Sequence, residues 1–124
     1  MVARGDEAEV LWRKFRFLVP LALLTSLHRA TLGDALARDP VVTGQVIAEV
    51  AATATLAGLP ATPTELGAIM RGLPAAMRSS LEQDLSAGRT TELTAIGGDL
   101  LAAAARLGVP VPTCSAIVQR LGTP

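Results

Sequence analysis

Proline and glycine punctuate this chain at helix-like intervals, and that punctuation constrains its fold more than any other feature. Asp39–Pro40 places a capping side chain before proline, the pairing that starts helices. The segment that follows runs to about Ala57 and stops at Gly58, with Pro60 just beyond. Thr62–Pro63–Thr64–Glu65 repeats the start signal, and that helix stops near Gly72. Pro74 is read as the next start, with Met77, Leu81 and Leu85 at helical spacing and Gly88 as the stop. Thr91 opens another segment, whose apolar stripe is Leu93, Ile96, Leu100, Ala103 and Leu107. Gly97–Gly98 inside it predicts that another backbone passes close by. Gly108 ends it, Pro110 and Pro112 enforce an extended link, and Thr113 caps a last helix through Leu121.

The first part of the chain fits the same scheme. Asp6 caps a helix through Glu9, Leu11, Trp12 and Phe15 towards Leu27, and Pro20 should kink it one turn after Arg16. Leu32–Gly33–Asp34 reads as a turn or a short helix. No strand pair or hairpin turn is visible. The expected fold is therefore all-α, a compact bundle of about six to seven helices. Residues 1–9 are taken as a lead-in and 10–124 as one helical domain.

Composition narrows the function. Half of the 124 residues are hydrophobic, which excludes a disordered tail. Eleven basic residues balance eleven acidic ones, so no positive excess exists for binding nucleic acid. Aromatic residues make up 2%, with no Tyr, so base-stacking platforms are absent. Cys114 is the only cysteine and His28 the only histidine, which leaves no disulfide within the chain and no two-histidine metal motif. Cys114 is expected to pack as a small hydrophobe. The apolar run Phe17–Leu24 is far shorter than the roughly 20 residues needed to span a bilayer. Acidic Asp6, Glu7 and Glu9 before it argue against a signal peptide. The expectation is a cytoplasmic protein with no membrane or nucleic-acid partner and no metal.

One stretch carries more than fold. Ser79–Ser80–Leu81–Glu82–Gln83–Asp84 leads through a short turn with Arg89 to Thr91–Glu92. With Gly108–Val109–Pro110–Val111–Pro112 and Leu11–Trp12–Arg13–Lys14–Phe15, it resembles the C-terminal helical domain of the ketopantoate reductase family, from about residue 10 to 121. The resemblance implies an NADPH-dependent reductase in which a Rossmann domain holds the cofactor and substrate lies between the two domains. No G-x-G-x-x-G segment occurs in this chain, so no cofactor is expected on it alone; NADPH enters only with a separate Rossmann partner.

Family roles carry over residue by residue. Lys14 matches the lysine that donates a proton to the carbonyl oxygen, Ser80 the substrate-binding serine, and Glu92 the glutamate that orders lysine and substrate. Lys14 is also the only lysine in the chain. The family's asparagines one and two turns after the lysine fall on Leu18 and Ala22, another on Leu32, and another on Gly97. At 100° per residue, Lys14, Leu18, Leu21 and Thr25 share one helix face with His28 close to it, so Leu18, Ala22 and Thr25 are read as substrate-binding. The bland alternatives are a core face at Leu18, Leu21 and Leu24, a surface His28 at a helix end, and a Glu92 that only complements a helix dipole.

The apolar exchanges lead to an expectation of repurposed, non-redox chemistry: an isomerase, lyase or cyclase acting on an apolar, polyketide-like carbonyl compound, with Lys14 and Glu92 as acid–base pair. A homodimer would cover the face that a Rossmann domain otherwise occupies. Two alternatives stand beside it. One is the substrate half of a split or truncated 2-dehydropantoate 2-reductase-like oxidoreductase; the other is a dimerising, ligand-binding module without chemistry.

Overall fold

In the computed structural model the backbone is described for residues 3–58, 62–77 and 91–121, and side chains for 16–58, 62–77 and 97–121. Among these residues the chain forms six helices and no strand: α1 (Ala3–His28), α2 (Leu32–Arg38), α3 (Pro40–Leu56), α4 (Pro63–Gly72), α5 (Thr91–Leu107) and α6 (Pro112–Leu121). α1 packs against each of the other five. α3 does the same, so these two long helices are the centre of the bundle.

The buried run explains why α1 is central. Val19 to Ser26 is buried on every side of the helix, which is what an apolar stretch without a polar face requires. Leu23, Leu24 and Val19 meet Val46 and Val50 of α3, Leu66 and Met70 of α4, Leu100 of α5 and Ile117 of α6 in one core. Pro20 lies inside this stretch, and α1 nevertheless continues from Ala3 to His28. Proline supplies no N–H to the carbonyl four residues back, at a cost of about 3 kcal/mol in an isolated helix. Enclosure by five neighbouring helices outweighs that loss, and the helix is not interrupted at Pro20.

The start signals at α3 and α4 act as the sequence indicates. The Asp39 side chain accepts from the Val42 N–H at 3.2 Å. At Thr62 a full capping box forms: Glu65 N–H donates to Thr62 Oγ1 at 3.1 Å, and Thr62 N–H to Glu65 Oε1 at 3.1 Å. α1 ends without a glycine. Arg29 takes the left-handed conformation, φ 50°, and Ala30 N–H donates to the Thr25 carbonyl at 3.1 Å. Arg29→Gly is expected to raise stability by about 0.5–1 kcal/mol, because glycine meets no penalty there; a urea titration with unchanged slope and a higher midpoint checks it.

Three expectations need correction. Pro74 does not open a helix: Pro74–Met77 is a turn, closed by Met77 N–H donating to the Pro74 carbonyl at 3.0 Å. The rest of that segment, with Leu81, Leu85 and Gly88, lies outside the described residues. Thr113 is not the cap of α6, which starts at Pro112. The helix receives its cap from α3: Glu49 accepts the N–H of Thr113 at 3.0 Å and that of Cys114 at 2.8 Å. Nor is Gly98 a point of close approach, since an added Cβ would meet nothing within 4 Å.

Close approach occurs at Gly33 instead. A Cβ there would lie 2.8 Å from Ala75 Cβ, 3.2 Å from its carbonyl oxygen and 3.3 Å from its Cα. The contact exists because the turn caps α2: Leu32 N–H donates to the Met77 carbonyl at 2.8 Å, and Gly33 N–H to that of Ala75 at 2.9 Å. Gly33→Ala forces the turn away from α2, with an expected loss of about 1–3 kcal/mol. Chemical denaturation of Gly33→Ala and of the pair with Ala75→Gly checks this; the second change should recover part of the loss.

Candidate functional site

α1 carries Lys14 and α5 carries Glu92, and the two helices pack against each other. Glu92 is the second residue of α5, in its first turn, where the helix end attracts negative charge. The side chains of Lys14 and Glu92, and all of Ser80, lie outside the described residues. Leu18 follows Lys14 by four residues, on the same helix face. It is 39% exposed, next to a stretch of α1 that is otherwise enclosed. An apolar surface therefore opens one turn past Lys14.

The other residues of that face are placed differently. Ala22 is 1% exposed and Leu32 1% exposed, both inside the bundle. Thr25 is fully buried, and its hydroxyl donates to the Leu21 carbonyl at 2.6 Å. Leu21 is a core residue as well. Gly97 is buried in α5. The apolar character at position 22 thus follows from helix packing.

His28 stands in the last turn of α1, half-buried, with Nε2 enclosed and unpaired. Burial lowers its pKa, helped by Arg38 and partly offset by Asp39. The unfolded chain therefore takes up this proton at higher pH than the folded one. The stability His28 contributes is complete above about pH 6.5 and is lost as pH falls through the folded value. His28→Gln is expected to flatten that part of the stability–pH curve, measured by urea midpoints across the range.

Cys114 is buried in the core, as its composition suggested. Burial first, then the Glu49 carboxylate and its hydrogen bond, push the thiol far above the usual range. It stays protonated and is no nucleophile. Arg16 Nε is also buried without a partner, and no sequence pattern pointed to it. Among the described residues no group of His, Cys, Asp or Glu is arranged to hold a metal, and none of their helices is long and apolar enough to cross a membrane.

Residues 7–123 match the family described as "Ketopantoate reductase PanE/ApbA C terminal". The chain belongs to this family. Its resemblance to solved structures agrees in fold. A dimeric ketopantoate reductase from Staphylococcus aureus superposes with a TM-score of 0.76 at 22% identity, over 91% of this chain and 41% of that one. A PanE/ApbA family ketopantoate reductase from Ralstonia eutropha JMP134 gives 0.75 at 24%, over 91% and 39%. In sequence, the uncharacterized oxidoreductase YkpB of Bacillus subtilis (strain 168) is 27% identical over 98% of this chain and 42% of its own length. The chain thus spans about two fifths of these relatives.

These likenesses overturn the expectation of an isomerase, lyase or cyclase. The matched family is a reductase family and YkpB is named an oxidoreductase. Ala22, one of the residues on which the non-redox reading rested, is also a packing residue. The all-helical ketopantoate reductase C-terminal fold is as the sequence resemblance implied.

Proposed function

We propose that this chain is the substrate-side half of a ketopantoate reductase-like oxidoreductase, acting on a small 2-oxo acid. The observation that carries this reading is the family match over residues 7–123. The chain's own residues do not fit a nicotinamide cofactor: the sequence has no G-x-G-x-x-G, and the described backbone has no strand–turn–helix to cradle a pyrophosphate. The cofactor, NADPH in this reading, belongs to a Rossmann domain, and no step through it is assigned here.

The chain's part is to bind and polarise the carbonyl. Lys14 holds a proton for the carbonyl oxygen, Glu92 orders Lys14 and the substrate, and Ser80 binds the substrate. The pairing of α1 with α5 supports the first two, since it makes the helices carrying them neighbours. The exposed Leu18, one turn from Lys14, supplies an apolar contact for the carbon frame of the acid. A homodimer is part of the reading, supported by the description of the Staphylococcus aureus relative as dimeric.

The test combines this chain with the Rossmann domain of a ketopantoate reductase and follows NADPH oxidation against a panel of 2-oxo acids including ketopantoate. Turnover is expected only with both components. A parallel titration of isotope-labelled chain with ketopantoate should shift the amides of residues 14–18 and 91–92. No 2-oxo acid-dependent turnover, together with no such shifts, overturns the reading.

A further inference from the structure

A cleft of about 290 Å³ opens between α2, α4 and the turn that follows α4. Among the described residues, none of α1 or α5 lines it. Its walls are Leu32, Leu36, Met70, Leu73 and Ala75, and Arg71 is its charged lining residue. Two features build it. Gly33 lets the turn close against α2 and forms one wall. Gly67 lets the Arg71 side chain lie across α4: a Cβ at Gly67 would come within 2.9 Å of its terminal nitrogen.

Arg71 is exposed and forms no ion pair or hydrogen bond with any described residue. Its position in the last turn of α4 suits the helix dipole, but that interaction leaves the planar donor fork unoccupied. A cation with free donors at the mouth of an apolar cleft matches one ligand shape: a carboxylate head on a short apolar body. The volume stands at the low end for small-molecule sites, about 300–1,000 Å³, and so limits that body to a few carbons.

We infer that this cleft binds small monocarboxylates, with Arg71 holding the carboxylate and Leu36, Met70 and Leu73 holding the apolar body. Among the described residues its lining comes from α2, α4 and the turn that follows α4.

The test is an NMR titration of the intact 124-residue chain with sodium hexanoate, and with hexanol as the uncharged control. A saturable shift of the Leu36, Met70 and Leu73 methyls is expected, with Kd near the millimolar range for a ligand this small. Arg71→Gln should weaken hexanoate about tenfold and leave hexanol unchanged. A second variant, Ala37→Leu, narrows the cleft from α2 and should weaken both ligands. Absence of shifts, shifts spread over the surface, or hexanoate binding undiminished in Arg71→Gln each overturns the inference. Ketopantoate binding at residues 14–18 is scored separately in the same spectra, so failure of one site does not count against the other.

Discussion

Replacing Glu49 with alanine should destabilise this protein by about 2–4 kcal/mol, the largest loss expected from any single surface-accessible side chain described above. The reason lies in how α6 begins. Its first residue, Pro112, has no N–H, and the Ser115 N–H already reaches the Val111 carbonyl at 2.9 Å. The two remaining free donors, Thr113 and Cys114, are both taken by the Glu49 carboxylate, at 3.0 and 2.8 Å. Val111 has no side-chain acceptor, so nothing local replaces it. Hydrogen bonds to a charged group contribute about 1.5–3 kcal/mol each, and a negative charge at a helix N-terminus adds a further small gain. The half-buried position limits rescue by water. The same carboxylate ties α6 to α3, and next to it Thr113 Oγ1 and Gln45 Oε1 lie 3.1 Å apart in a second link. Urea denaturation checks the magnitude. Glu49→Gln should fall between, because one carboxamide oxygen can accept one of the two N–H groups while the NH₂ cannot accept the other. A loss below about 0.5 kcal/mol in Glu49→Ala would show that solvent caps α6 equally well.

That cap also shows where sequence reading stops. Starts that a chain makes from its own neighbouring residues were legible: Asp39 at α3 and the Thr62–Glu65 box at α4 lie within four residues of what they cap. The starts of α2 and α6 were not, because their donors are met by the carbonyls of Ala75 and Met77 and by Glu49, brought there only by the fold. Nothing in Pro112–Thr113 distinguishes a threonine cap from a threonine whose N–H is capped from another helix. Glycine carries the same ambiguity. Gly98 looked like a close contact and Gly33 like an ordinary turn residue, while Gly98 has open space around it and Gly33 is tightly approached. Helical geometry groups Leu18, Leu21 and Thr25 on one side of α1, but periodicity does not say how far along a helix its neighbours reach. Leu18 stays exposed, whereas Leu21, Ala22 and Thr25, a turn or two later, are enclosed. The non-redox chemistry built partly on Ala22 is overturned by the family match.

Lys14→Ala should lower kcat of the assembled reductase by about 10²–10⁴, the usual range for loss of a positioned proton donor, with much less effect on KM. The expectation rests on the proposed role at the carbonyl oxygen and on the packing of α1 with α5, the helices that carry Lys14 and Glu92. Lys14→Arg discriminates a proton donor from a mere positive charge. Arginine keeps the charge but effectively never gives up its proton, so it should keep KM near that of wild type without restoring turnover. Glu92→Gln should lower kcat less than Lys14→Ala, because ordering a donor is lost by degrees while the donor itself is lost outright. The sequence offers a second, independent readout. Because Lys14 is the only lysine in this chain, acetylating the chain before it is combined with the Rossmann partner modifies one ε-amine and should abolish the turnover of the assembly. A Lys14→Ala enzyme within about threefold of wild type, or acetylation that leaves turnover intact, would remove Lys14 from the reaction. The same result with the Rossmann partner still required would leave the domain's role as substrate platform standing and move the proton donor to another residue.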